Sequence, residues 1–168
     1  MALARRWRWF LAIGAIAILA DQLTKLWARH ALVPGQRVAL VDGYWDWRLS
    51  FNPGASFNLF ESATGARIFL SVVGVAALGV IGWMVKRASD AQRLHVIGLG
   101  LIAGGAAGNL VDRIANGVVT DFALWHWGER AFWPMFNVAD AALVLGVAIL
   151  LVSGSAKSRV VAAPALQR

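Results

Sequence analysis

The chain has 168 residues, of which 59% are hydrophobic and only 15% are charged, and it carries a net charge of +7. A mean hydropathy of +0.62 is typical of membrane proteins and excludes an ordinary soluble domain. The absence of cysteine excludes disulfides, thiolate metal sites and thiol nucleophiles. The basic residues flank apolar runs instead of sharing one polar face, so we expect them to direct membrane topology and predict no nucleic-acid partner.

Four apolar segments are long enough to cross the hydrocarbon core of a bilayer, which requires about 20 helical residues. Because unsatisfied backbone groups are not tolerated in lipid, each segment is predicted to be a helix: 9–27, 66–85, 94–112 and 137–153. The first follows a basic N-terminus but lacks a convincing small-residue cleavage site, so we interpret it as a retained signal anchor. The second, with Gly74, Gly79 and Gly82, is predicted to be packing surface. The expected fold is an all-α membrane protein, a four-transmembrane-helix bundle in a single domain covering residues 1–168.

Two long connectors separate these segments, at residues 28–65 and 113–136. In the first, Trp45, Trp47, Leu49 and Phe51 alternate with polar residues after an Asp42-Gly43 pair, a pattern typical of a hairpin. It predicts a small extracytoplasmic β-sheet cradle on the membrane surface. The second connector mixes apolar and polar positions and is expected to lie in the interface. The tail, about 155–168, is predicted to be a short, flexible, solvated end.

Positive charge is concentrated in the N-terminal tail, in the connector 86–93 and in the C-terminal tail, whereas the two long connectors carry both signs. The positive-inside rule then predicts that both termini are cytoplasmic and that the long connectors lie outside. Tryptophans agree with an aromatic belt at each interface, with Trp7, Trp9 and Trp83 inside and Trp27, Trp125, Trp127 and Trp133 outside.

This topology brings four carboxylates to one depth near the external surface: Asp21, Asp112, Asp121 and Asp140. A charged group inside a bilayer is costly, so an intramembrane carboxylate indicates function by default. Scattered structural residues have no reason to converge at one edge of the membrane. We therefore expect a single site near the outer leaflet.

Polar residues accompany the carboxylates at helical spacing. Asn109 and Asp112 share one face of the third predicted helix, and Arg113 follows at the same end. Asp21 and Lys25 have the i,i+4 spacing of an ion pair, which either supports the structure or contacts a substrate.

Two further patterns concern packing and capping. The third predicted helix carries Gly100, Gly104 and Gly108 at four-residue intervals, which predicts close approach of a neighbouring helix. Asn137 lies three residues before Asp140 on the same face and is positioned as an N-cap of the fourth helix.

Taken together, five segments in order resemble the motifs of the bacterial lipoprotein signal peptidases, signal peptidase II: DQLTK (21–25), FNPGASF (51–57), GGAAGNLVDR (104–113), VVTDF (118–122) and FNVAD (136–140). The resemblance implies an aspartic endopeptidase whose catalytic pair is Asp121 and Asp140. It also implies a set that binds substrate or supports the site: Asp21, Lys25, Asn52, Gly54, Asn109, Asp112, Arg113, Asn137 and Ala139. Thr120 stands where the family more often has an apolar residue, and Asn58 where a small residue is usual.

The substrate implied by the resemblance is a prolipoprotein whose lipobox cysteine already carries a diacylglyceryl group. Cleavage on the N-terminal side of that cysteine would release the signal peptide. The expected partners are this lipidated prolipoprotein and membrane lipid, and the expected location is the bacterial cytoplasmic (inner) membrane, as a monomer. No cofactor is expected. No metal site is expected either, because the three histidines lie on separate segments without the HExxH spacing of a zinc site: His30, His95 and His126.

Two carboxylates suit this hydrolysis. When two carboxylic acids are held close together, repulsion raises the free energy of ionising both, so one of them stays protonated. The charged member can activate water and the protonated one can polarise the scissile carbonyl and serve the leaving amine. The sequence leaves open which aspartate takes which role.

Two other functions remain compatible with the composition. A small transporter or proton-coupled channel would also use intramembrane acids beside Lys25 and Arg113. The apolar inner halves of the predicted helices argue against such a pathway. A membrane-anchored assembly factor would not explain the four intramembrane carboxylates.

Overall fold

The structure is a computed structural model that describes residues 3–54, 63–128, 130–131 and 133–161. These ranges contain four helices and four strands, in the order α1 (Arg5–Ala31), β1 (Val38–Val41), β2 (Trp45–Asn52), α2 (Ala63–Arg87), α3 (Arg93–Asn116), β3 (Val119–Trp127), β4 (Arg130–Ala131) and α4 (Val138–Val161). Two parts of the predictions lie outside the described residues: positions 55–58, with the end of the FNPGASF segment and Asn58, and positions 162–168 of the tail.

Within the described ranges, three helices are long and apolar enough to cross a membrane: Arg5–Ala31, Thr64–Arg87 and Arg93–Asn116. The apolar part of α4, Val138–Ser153, is shorter. The prediction of a mainly helical membrane protein with a small sheet is thus confirmed.

The helices extend beyond the apolar segments from which they were predicted. Hydropathy marks only the part that suits hydrocarbon, whereas helical hydrogen bonding continues past it. As a result Asp21, which is six residues before the end of the predicted segment 9–27, lies ten residues before the end of α1. Likewise α4 continues to Val161, so the first part of the predicted tail is helical.

α3 is the central helix and packs against each of the other three. Gly100 and Gly104 face α1, where a Cβ on Gly104 would lie 2.6 Å from the Ala17 Cβ and 2.8 Å from the Gly14 carbonyl oxygen. Only glycine permits this approach, so the predicted close packing is confirmed. It brings the polar faces of α1 and α3 together.

The glycines of α2 have a different environment. A Cβ on Gly79 or on Gly82 would meet no described atom within 4 Å. The predicted packing role is therefore wrong for these two residues. A hydropathy pattern identifies an apolar helix, but it does not say whether a given face meets protein or lipid.

The sheet has the order β1-β2-β3-β4, and its paired strands are antiparallel. The predicted hairpin joins β1 to β2, with Gly43 at a φ of 80° in the turn, where glycine is favoured. The second connector, predicted only to lie in the interface, contributes β3. In the pairing of β2 with β3, Asp121 lies opposite Ser50, and Asn52 lies opposite Val119.

A buried apolar cluster joins the C-terminal end of α1 to the sheet, and it contains Ala28, Leu32, Leu49, Phe122 and Ala123. Trp27 packs edge-on against Trp47, with ring centroids 5.5 Å apart. Edge-to-face pairs of this kind stabilise by about 0.5–1.5 kcal/mol beyond the area they bury. The cluster therefore fixes β3, and with it Asp121, relative to the helices.

Candidate active site

Asn137 joins the two aspartates predicted to be catalytic. Its Nδ2 donates to Asp121 Oδ1 at 2.7 Å, and its backbone N–H donates to Asp140 Oδ2 at 3.2 Å. Asp121 belongs to β3 and Asp140 to the first turn of α4. A backbone bridge between Ala123 and Phe136 holds the start of α4 beside β3. The two carboxylates are therefore neighbours.

Two further asparagines contact the remaining carboxylate oxygens. Asn52 Nδ2 donates to Asp121 Oδ2 at 3.1 Å, and Asn109 Nδ2 donates to Asp140 Oδ1 at 2.8 Å. Asn52 is itself oriented by the Gly54 N–H, which donates to Asn52 Oδ1 at 2.8 Å. Gly54 has a φ of 79°, which favours glycine. Every oxygen of the pair thus accepts a hydrogen bond, which fixes the orientation of both carboxylates.

The start of α4 is held by side chains of the same site. Asn137 Oδ1 accepts from the Asp140 N–H at 3.0 Å, so Asn137 is the N-cap, as predicted. Asp21 Oδ1 accepts from the Ala139 N–H at 2.9 Å, satisfying a second free donor of the helix end. Ala139 is fully buried. A Cβ added to Gly108 would lie 2.5 Å from Asp21 Oδ2 and 3.1 Å from Asp21 Cγ, so glycine is required where α3 passes this carboxylate.

Lys25 lies at the centre of a buried ionic network. Its Nζ lies 2.8 Å from Asp21 Oδ2 and 3.3 Å from Asp112 Oδ2, and all three side chains are fully buried. The same ammonium group donates to Asn109 Oδ1 at 2.9 Å. Because these groups are closed to solvent, the structure favours the supporting role for the Asp21–Lys25 pair over direct substrate contact.

Two residues of the network were not among the predicted site residues. Arg29 NH2 lies 2.7 Å from Asp112 Oδ1, and Arg29 Nε donates to Thr120 Oγ1 at 2.9 Å. The Thr120 N–H donates to Asp112 Oδ2 at 2.9 Å. Arg29 follows Lys25 by four residues, so helical spacing from Asp21 could have identified it. In the sequence Thr120 is distinguished only by its departure from the family pattern.

Thr120→Val is expected to lower the free energy of unfolding by about 1–3 kcal/mol, because it keeps the shape but leaves the Arg29 guanidinium without its hydroxyl acceptor. Thermal unfolding of the detergent-solubilised protein measures the change. Thr24→Val is the matched control, since among the described residues the Thr24 hydroxyl bonds only to the carbonyl groups of Ala20 and Asp21 on its own helix. Equal losses in both variants would contradict a special role for the Arg29–Thr120 contact.

Arg113 lies beside the catalytic candidates without a carboxylate at salt-bridge distance among the described residues. Its NH1 makes only a long contact of 3.5 Å to the Asn109 carbonyl oxygen, and its buried Nε has no partner in the described part of the chain. The guanidinium is close enough to interact electrostatically with Asp140, Asp121 and Asp112. Its Nε is therefore a donor without a described partner, on a guanidinium that interacts electrostatically with the aspartates of the site.

Burial raises the pKa of Asp121 from its ordinary 3.8 to about 6, and the negative charge of Asp140 adds to the increase. Hydrogen bonds from Asn52 and Asn137 and the charge of Lys25 oppose it. A carboxyl group with this pKa can carry a proton at mildly acidic pH beside a charged carboxylate. That combination is what acid–base hydrolysis requires.

The carboxylates of α1, α3 and α4, namely Asp21, Asp112 and Asp140, all lie on one side of apolar helical stretches that carry no ionisable group. The stretches 9–20 of α1, 96–111 of α3 and 141–153 of α4 contain no Asp, Glu, Lys, Arg or His. A proton or ion pathway across the bilayer would place such groups along its depth. The distribution therefore fits a site at one interface better than a pathway.

Comparison with known proteins shows the family to which the chain belongs. A family model described as signal peptidase (SPase) II matches residues 13–155. The chain belongs to the signal peptidase II family. Its relatives include the lipoprotein signal peptidase of Pseudomonas putida, 35% identical over 86% of this chain and 83% of that protein, and that of Maridesulfovibrio salexigens, 37% identical over 87% of this chain and 96% of that protein.

Two solved structures, both described as bacterial membrane enzymes, have the same fold. One has a TM-score of 0.77 at 21% identity and covers 86% of this chain and 90% of its own. The other has a TM-score of 0.80 at 20% identity and covers 94% of each chain. The family model and the relatives, not this likeness of fold, confirm the predicted identity as a signal peptidase II protease over the transporter and assembly-factor alternatives.

Proposed function

We propose that the protein hydrolyses diacylglyceryl-modified prolipoproteins on the N-terminal side of the lipidated cysteine, with Asp121 and Asp140 as the catalytic pair. The observation that carries this proposal is the carboxylate pair joined by Asn137. Family membership supports the substrate class, and the geometry supports the aspartic mechanism.

In the proposed mechanism Asp121 begins protonated and Asp140 begins ionised, because the raised pKa of Asp121 makes it the proton carrier. Asp140 takes a proton from water as the oxygen attacks the scissile carbonyl carbon, while Asp121 protonates the carbonyl oxygen. When the C–N bond breaks, Asp140 gives its proton to the leaving amine, and Asp121 recovers a proton from the diol. The starting protonation states are restored, and no covalent intermediate forms.

The supporting residues have distinct proposed roles. Asn52 and Asn109 orient the carboxylates, since their amide groups already donate to Asp121 and Asp140. Arg113 holds the peptide or the lipidated cysteine, because its guanidinium keeps donors without described partners. Lys25, Asp21 and Asp112 form a buried ionic network that stabilises this arrangement through the contact of Lys25 with Asn109.

The proposed setting is the bacterial inner membrane with α4 as a fourth span, both termini cytoplasmic and the pair near the outer leaflet. Positive charge at the proposed cytoplasmic end supports this orientation. At that depth the diacylglyceryl tails stay in the bilayer while water reaches the carboxylates. The proposed site is formed without residues of a second copy, so we propose that the protein acts as a monomer.

A reaction with purified protein and a lipidated precursor tests the function, with the unlipidated precursor as the control. We expect cleavage of the lipidated form only, and a product whose new N-terminus is the modified cysteine. Equal cleavage of both precursors, or cleavage at another bond, would overturn the proposed specificity.

The pH dependence tests the assignment of the proton. Since Asp121 holds its proton only below about pH 6, kcat/KM is expected to fall as the pH rises above this value, by about tenfold per pH unit at the steepest. Asn52→Ala removes a hydrogen bond that lowers this pKa, so the descending limb should move to higher pH. Asp42→Asn on the exposed hairpin turn is the control. If activity instead rises through pH 6, Asp121 is the base and the roles are reversed.

A further inference from the structure

A groove of about 370 Å³ opens at the N-terminal end of α1, and it is lined by Arg5, Arg8, Trp9 and Ala12. Ala12 precedes Asp21 by nine residues, which is about 14 Å along a helix. The groove is therefore separate from the catalytic site, and no step of the proposed hydrolysis uses it.

The cations at this groove have no counter-ion in the described part of the chain. Arg6 bonds with Asp90, at 3.1 Å through its backbone N–H and at 3.6 Å through its guanidinium. No described carboxylate lies at salt-bridge distance from Arg5 or Arg8, and both side chains are exposed. The surrounding segments 1–12 and 86–93 carry six basic residues and only one acidic residue. The local field therefore favours an anion.

The inner wall of the groove is apolar and ordered. Trp9 is half-buried, and the Arg93 guanidinium lies over its ring at 4.0 Å from the centroid. A cation–π contact of this type holds the indole in place. Ala12 continues the same face towards the membrane interior. A ligand that fits both parts has an anionic head and an apolar tail.

We propose that this groove binds one anionic phospholipid of the inner leaflet, with its phosphodiester between Arg5 and Arg8 and an acyl chain along Trp9 and Ala12. Basic pockets at the cytoplasmic side of membrane proteins recognise lipid headgroups in this way. The positively charged N-terminal region of a signal peptide has the wrong charge for this position. The assignment to the inner leaflet rests on the orientation proposed above.

Native mass spectrometry of the purified, delipidated protein, titrated with phosphatidylglycerol or with phosphatidylcholine of the same chains, tests the proposal. We expect one phosphatidylglycerol to bind with clear preference. The double variant Arg5→Gln/Arg8→Gln should weaken its affinity by about 30-fold. Lys86→Gln/Arg87→Gln is the matched control, since it removes the same charge from the same end of the protein beside another tryptophan, Trp83.

A second pair of variants keeps every arginine. Ala12→Trp fills the groove and should abolish the bound lipid, whereas Leu11→Trp, on the neighbouring exposed position, should not. Equal loss in the two charge variants would show general surface attraction and overturn the site. So would equal binding of phosphatidylcholine, or displacement of phosphatidylglycerol by millimolar inorganic phosphate.

Discussion

Asp121→Asn and Asp140→Asn are each expected to reduce kcat for the lipidated precursor by about 10²–10⁴-fold. Asparagine keeps the size of aspartate and its capacity to accept a hydrogen bond, but it does not exchange a proton. Either substitution therefore removes one half of the proton transfer that the mechanism requires. Accumulation of uncleaved lipidated precursor in a timed reaction with purified variants measures the loss.

Asp42→Asn is the control for this pair of substitutions. Asp42 is an exposed acid in the β1–β2 turn, and Asn-Gly suits such a turn as well as Asp-Gly does. We expect this variant to cleave at the rate of the unmodified protein. A near-normal rate for Asp121→Asn or for Asp140→Asn would refute the assignment of the catalytic pair.

Lys25→Met is expected to lower the free energy of unfolding by about 3–5 kcal/mol, because it leaves Asp21 and Asp112 buried with their shared cation removed. Asp21 and Asp112 are fully buried, so water does not replace the ammonium group without rearrangement. Thermal and denaturant unfolding in detergent micelles measure the change. The same variant should also lose activity, since Lys25 donates to the side-chain oxygen of Asn109, which contacts Asp140.

Two variants separate this effect from a general loss of stability. Lys86→Met removes an exposed lysine from α2 and should change stability by no more than about 0.5 kcal/mol. Lys25→Met/Asp21→Asn removes both partners of the closest ion pair and should recover part of the lost stability, because only the charge of Asp112 then remains, paired with Arg29. If the double variant were less stable than Lys25→Met, the loss of stability could not be attributed to an unpaired buried carboxylate.

Much of the candidate site could be predicted because its residues lie at short, regular spacings. Gly100, Gly104 and Gly108 recur every four residues, so their common face follows from helix geometry alone. The capping role of Asn137 also depends only on its distance from Asp140. The five family motifs then predicted Asp121 and Asp140 as the catalytic pair, although nothing in their separation along the chain says that they approach each other.

Other features depend on contacts between distant segments. The role of Lys25 was open because an i,i+4 pair has the same spacing whether it is buried or exposed, and only the position of Asp112 on α3 decides between them. β3 was missed because its residues do not alternate: the stretch from Val119 to Leu124 is buried on both faces. Helical spacing places Arg29 on the face of Asp21 and Lys25, but its contact with Thr120 could not be predicted because Thr120 lies 91 residues further along the chain.

By itself, the sequence determined the membrane class, the helices, the hairpin and the set of carboxylates, since each depends on composition or on local periodicity. Only the tertiary structure decided how these parts meet: three asparagines from β2, α3 and the start of α4 hold two aspartates, and one buried lysine holds α1 to α3. The physical reason is that a hydrogen bond or an ion pair depends on distance in space. Residues that are remote in sequence acquire that distance only when the helices and the sheet have packed.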